Sequence, residues 1–100
     1  MQPAETLVLP VPEIAIYTRQ FCGFCSIAKR VLERHGLAYV EYDATGKPEV
    51  RAEMIQRSQG AFTFPQIFFG ERHIGGCDEL MELEAGGGIE RVIAAAGTRT

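Results

Sequence analysis

The chain has no apolar run near the roughly 20 residues that a helix needs to cross a bilayer, so it reads as a soluble protein with no membrane partner. It has no basic excess either. Ten Lys and Arg against thirteen Asp and Glu leave a formal charge of -3, which argues against general nucleic-acid binding, whose usual footprint is a strongly basic face. Cysteine is scarce and odd in number, at three. Disulfide frameworks of secreted domains use even sets, so a reducing compartment, the cytoplasm, is expected. Internal repeats, low-complexity tracts and linkers long enough to separate domains are also missing.

The 46% hydrophobic content over 100 residues is enough for a single core without metals or structural disulfides. Residues 1–12, with Pro3, Pro10 and Pro12 around Leu7-Val8-Leu9, lack the basic start and longer apolar stretch of a signal peptide and read as an extended lead-in. The domain is expected over 13–97, with 98–100 as a fraying end. Apolar runs and spacing predict strands over Glu13 to Tyr17, Leu37 to Tyr42, Gln66 to Phe69 and His73 to Gly75. Helices are expected from Gly23 to about His35, Pro48 to about Ser58, Asp78 to about Glu84 and Gly88 to Ala96. Gly70-Glu71-Arg72 would turn the third strand into the fourth as a hairpin. Charge is uneven, with Arg19, Lys29, Arg30 and Arg34 early and Glu79, Glu82, Glu84 and Glu90 late; solvated helix faces account for most of these.

Cys22 and Cys25 form a C-x-x-C pair where the first strand turns into the first helix. A helix starts with unpartnered N–H groups carrying partial positive charge, which favours a thiolate there. Cys22 is therefore the expected nucleophile. Cys25, one turn deeper on the same face, is placed to attack a mixed disulfide on Cys22 and close an intramolecular bond.

A β-α-β-α-β-β-α order with C-x-x-C after the first strand is the thioredoxin-like layout, an α/β fold with a four-stranded mixed sheet flanked by helices. The run Ile16-Tyr17-Thr18-Arg19-x-x-Cys22-x-x-Cys25, then Thr63-Phe64-Pro65-Gln66-Ile67-Phe68, then His73-Ile74-Gly75-Gly76-Cys77-Asp78-Glu79-Leu80, resembles the glutaredoxins, closest to the small bacterial glutaredoxin 3 type. The resemblance covers about Ile14 to Ala95. It implies a glutathione-dependent thiol–disulfide oxidoreductase with glutathione as co-substrate, acting on glutathionylated or disulfide-containing proteins.

The resemblance also implies a tripeptide site. Pro65 would be cis, aiming the Phe64 backbone at the cysteinyl part of glutathione, as an added strand would pair; otherwise it only begins a strand. Gly76 allows close approach, and the N–H groups of Cys77 and Asp78 at a helix start suit the γ-glutamyl carboxylate. The Asp78 charge suits its ammonium group, unless Asp78 merely caps the helix. Arg19 would meet the glycyl carboxylate, with Arg51 a weaker candidate; an isolated surface arginine contributes little. Thr63 completes the set, and Phe24 keeps an apolar ring beside the cysteines where the family commonly has tyrosine. Gly23 replaces the common proline.

Two other readings follow. Some family members with Gly or Ser at this position hold a [2Fe-2S] cluster between two subunits, through the first cysteine and glutathione, which would make Cys22 the ligand and the protein a dimer instead of a monomer. A zinc-stabilised binding module would need Cys22, Cys25 and two of Cys77, His35 and His73; zinc cysteines usually recur as closely spaced couples, and only one couple is present. A thioredoxin served by a dedicated reductase fits the segment Gly75 to Asp78 less well.

Overall fold

The computed structural model describes residues 12–97. The expected lead-in, Pro12 apart, and the expected fraying end at 98–100 lie outside the described residues. The chain runs β1 (Ile14–Thr18), α1 (Gly23–Arg34), β2 (Val40–Asp43), α2 (Pro48–Arg57), β3 (Gln66–Phe69), β4 (Arg72–Gly75), α3 (Cys77–Ala85) and α4 (Ile89–Gly97). The four strands form one mixed sheet in the order β2-β1-β3-β4. β1 pairs parallel with β2 and antiparallel with β3, and β3 pairs antiparallel with β4.

β1 is buried at all five positions, as a central strand covered on both faces must be. Because strand side chains alternate, Ile14 and Ile16 enter a core with Ala28, Val31 and Leu32 of α1, Leu80 of α3 and Ile89 of α4. Ala15 and Tyr17 enter a smaller core with Phe68 and with Met54 of α2. This topology sets the location of the site. The end of β1 lies beside the start of β3, with Tyr17 opposite Gln66, and the end of β4 lies beside them, with Gly75 opposite Ile67. The loop before α1, the turn before β3 and the turn before α3 therefore gather at one end of the strands.

The second strand is shorter at its start than its sequence suggests. Gly36 takes a positive φ of 69° and the Leu37 N–H reaches back to the Leu32 carbonyl at 3.0 Å, closing α1 in the manner of a glycine C-cap. Leu37 and Tyr39 pack against the core from this non-strand stretch, which explains their apolar alternation without strand pairing. Arg72, expected in the turn, already belongs to β4, and α3 starts at Cys77, one residue before the expected start.

Candidate active site

Cys22 is the N-cap of α1 in an extended backbone conformation, and its sulfur accepts the Cys25 backbone N–H at 3.1 Å. The two cysteines are joined as a disulfide with Cα atoms 5.2 Å apart. They differ in access. Cys22 is half-buried, whereas Cys25 is 3% exposed, on the stripe of α1 that faces the core. Phe21, immediately before the pair, adopts a left-handed backbone at φ 56° and stands 94% exposed, with Phe24 also exposed between the cysteines. Nothing local marks Phe21 for that conformation, and its sequence gave no signal of it.

Two cavities flank the Phe64 backbone. One, of about 270 Å³, lies between Phe24, the Thr63-Phe64-Pro65 segment, and Gly76, Cys77 and Asp78. The Phe64–Pro65 peptide bond is cis. A Cβ at Gly76 would come within 3.3 Å of the Pro65 carbonyl oxygen, so a larger residue there would press on the backbone of the cis turn. The other cavity, of about 430 Å³, holds Arg19 and Arg51 with Phe21, Thr45 and Phe64. All the residues expected from the resemblance thus line one of these two cavities or carry the disulfide. Arg19 donates to the Gln20 and Phe21 carbonyls at 3.1 and 3.3 Å, folding over the loop that enters Cys22. That loop is braced from across the cavity, where the Gln20 N–H donates to Thr45 Oγ1 at 2.8 Å.

At the start of α3 the capping carboxylate is Glu79, whose Oε1 accepts the Gly76 N–H at 2.8 Å. Asp78 is therefore not the cap. The Gly76-x-x-Glu79 spacing is half of a capping box, a signal present in the sequence. The Cys77 and Asp78 N–H groups, in the first turn, have no intrahelical acceptor and lie beside the cavity. Gly75 has φ 120°, and a Cβ there would meet Glu79 Cγ at 2.9 Å. Cys77 is buried and sits 3.7 Å from the Met81 sulfur. Burial, and then Asp78 and Glu79, push its thiol above the ordinary range.

The histidines are engaged elsewhere. His35 Nδ1 and Nε2 meet Glu90 and Glu84 at 2.7 and 2.9 Å, and His73 Nε2 meets Gln66 Oε1 at 2.6 Å. The set considered for zinc is not brought together, and among the described residues no group of three or more His, Cys, Asp or Glu is arranged for a metal ion. No described helix is long and apolar enough to cross a membrane.

A mixed sheet with a cysteine pair at the start of its first helix, one sulfur accessible and its partner buried, defines a thiol–disulfide oxidoreductase of the thioredoxin-like class. The family model described as Glutaredoxin matches residues 14–74. Glutaredoxin 3 of Escherichia coli is 42% identical over 80 residues, 80% of this chain and 95% of that protein. The solution structure of a Brucella melitensis glutaredoxin superposes with a TM-score of 0.74 at 43% identity, covering 90% of this chain and 96% of that one. A buckwheat glutaredoxin–glutathione complex gives 0.73 at 27% identity, covering 97% and 89%. The chain belongs to the glutaredoxin family.

Proposed function

We propose that this protein reduces protein–glutathione mixed disulfides and protein disulfides in the cytoplasm, with glutathione as the electron donor. The observation that carries the proposal is the asymmetry of the sulfurs, with Cys22 accessible at the helix start and accepting an N–H, and Cys25 buried behind it. Backbone N–H donation to the Cys22 sulfur favours its anion. That thiolate attacks the glutathionyl sulfur of a mixed disulfide, the S–S bond breaks, and the protein substrate leaves as its thiolate. The thiolate of a second glutathione attacks the Cys22 adduct, releasing glutathione disulfide and restoring the Cys22 thiolate. With a protein disulfide, Cys22 forms the mixed disulfide and Cys25 displaces the substrate, leaving the Cys22–Cys25 disulfide for two glutathiones to reduce.

The two cavities suit the ends of the tripeptide. The N–H groups of Cys77 and Asp78 face a γ-glutamyl carboxylate, Asp78 its ammonium, Phe64 the cysteinyl backbone, and Arg19 with Arg51 the glycyl carboxylate. The complex formed by the buckwheat relative supports this reading. Cys22→Ser is expected to abolish both reactions, whereas Cys25→Ser retains turnover of a glutathionylated peptide and loses reduction of a protein disulfide. A requirement for both thiols with the glutathionylated peptide overturns the mechanism.

A [2Fe-2S] cluster needs four ligands. With Cys25 and Cys77 both buried, Cys22 is the thiol one chain would offer it, the remainder coming from glutathione and a second copy; bound so, the cluster would supply one-electron or cluster-transfer chemistry. The observation favouring this reading is that Cys22 is only half-buried at the start of α1 while its partner Cys25 is covered. A brown dimer whose colour is lost in Cys22→Ser supports it, and a colourless monomer after anaerobic purification rejects it.

A further inference from the structure

Gln66 is a polar residue buried to 4% exposure in a strand otherwise made of Ile67, Phe68 and Phe69. A buried amide is costly unless its hydrogen-bonding capacity is used, and this one is used in one direction. Its Nε2 donates to both the carbonyl oxygen and the hydroxyl of Thr63, at 3.0 and 3.2 Å. The amide orientation is fixed by chemistry, since a carbonyl oxygen only accepts and the opposite orientation would set two acceptors against each other. Gln66 Oε1 therefore faces His73 Nε2 at 2.6 Å, which must carry the proton. His73 is held in place by stacking on Phe68, with centroids 4.9 Å apart.

The chain of donors runs from the His73 ring to the Gln66 amide to the hydroxyl of Thr63, a residue that lines the smaller cavity. Because that hydroxyl already accepts from Gln66, its own proton is released to donate elsewhere. We propose that Gln66 and His73 are positioning residues that turn Thr63 into a hydrogen-bond donor toward a carboxylate at the γ-glutamyl end of the bound tripeptide. The proposal rests on the glutathione reading above. Successive donors polarise one another, and the same two bonds hold the segment leading into Phe64 and Pro65 in a single conformation.

The test uses steady-state kinetics with a glutathionylated peptide and, separately, reduction of an aromatic disulfide that carries no glutathionyl group. Gln66→Met keeps the side-chain volume and removes the amide, and His73→Phe keeps the ring on Phe68 and removes the N–H. Losing a hydrogen bond to a charged group lowers affinity by roughly tenfold or more. Gln66→Met is therefore expected to lower the ratio of kcat/KM for the glutathionylated peptide to that for the aromatic disulfide by roughly tenfold, through KM. Thr63→Val is expected to match it, Thr63→Ser to restore the ratio, and Gln66→Met with Thr63→Val to be no worse than Thr63→Val alone. Additive losses, or an unchanged ratio in both Gln66→Met and His73→Phe, overturn the relay. Wild-type protein that reduces the aromatic disulfide but not the glutathionylated peptide overturns the parent reading instead. Should Gln66→Met fail to fold, His73→Phe, which alters an exposed residue of β4, decides the matter alone.

Discussion

Removing Arg57 tests what holds α2 on the sheet. Its guanidinium lies 4.2 Å from the Phe68 ring centroid and 5.7 Å from that of Tyr17. It also donates to the Tyr17 hydroxyl at 3.0 Å and to the Gly70 carbonyl at 3.3 Å. A cation over an aromatic ring contributes about 0.5–2 kcal/mol, and a hydrogen bond to a charged group about 1.5–3 kcal/mol. Arg57 is exposed, so the lower ends apply, and Arg57→Ala is expected to cost about 2 kcal/mol. In a domain of this size 1 kcal/mol moves Tm by about 4–8 °C, which places the loss at about 8–16 °C. Arg57→Lys keeps the cation but loses the planar fork that reaches both acceptors, and should fall between. Burial pushes the Tyr17 phenol up while its bond to Arg57 pulls it down, so ultraviolet titration of Arg57→Ala should show a tyrosine ionising later than in the wild type. Arg51 sits six residues earlier on the same helix, about 9 Å along its axis, so looser docking of α2 should also raise KM for the glutathionylated peptide. Melting within about 2 °C of wild type for Arg57→Ala refutes this account of the docking.

Cys77, buried and with its thiol pushed up, should alkylate far more slowly than Cys22 in the reduced protein at neutral pH. Mass spectrometry after a limited iodoacetamide pulse should find the label on Cys22, and equal labelling would contradict the placement of Cys77. His35 gives a pH signature, since its two ring nitrogens face two carboxylates and only an imidazolium has two donors. Glu90 and then Glu84 raise its pKa above 6.5. Its stabilisation is therefore full below pH 6.5 and lost as pH rises through the raised folded value. Glu84 and Glu90 are held below 4.5, chiefly by His35, so their share is lost as pH falls through those lowered values. The difference in Tm between wild type and His35→Asn should be largest between these two ranges and shrink on the alkaline side. A difference that stays flat from about pH 6 to 9 would contradict the arrangement.

The legible parts of the sequence are those where local chemistry and tertiary demand agree. β1 reads as a strand because its short apolar run suits burial on both faces, and α1 reads as a helix because Phe24, Ile27, Ala28, Val31 and Leu32 recur at helical spacing. Ala28, Val31 and Leu32 are buried as that spacing implies, whereas Phe24 and Ile27 stand exposed and Cys25 takes the buried position instead. Leu37 and Tyr39 misled because an apolar alternation also serves a coil packed on a core. Capping is one reading of Asp78 by residue type, yet Glu79, one residue later, is the side chain that accepts the Gly76 N–H. The contacts among Gln66, His73 and Thr63 were not legible at all. They depend on the β3–β4 pairing that sets His73 opposite Phe68, and no local spacing encodes which way a buried amide points.

The division of labour between the cysteines follows from the same stripe that buries α1. Cys25 is the first buried residue of α1, ahead of Ala28, Val31 and Leu32, so its sulfur is hidden on the covered side of the helix. Cys22 is one turn earlier, on the cap, where it is only half-buried. An N–H of the first turn reaches the Cys22 sulfur because it has no carbonyl to bond within the helix. The antiparallel β1–β3 pairing brings Thr63 to Pro65 to the same end of the strands, and the β3–β4 hairpin brings the start of α3 there. A half-buried sulfur with a buried partner, and a polar groove beside the pair, are thus consequences of strand order and helix phase.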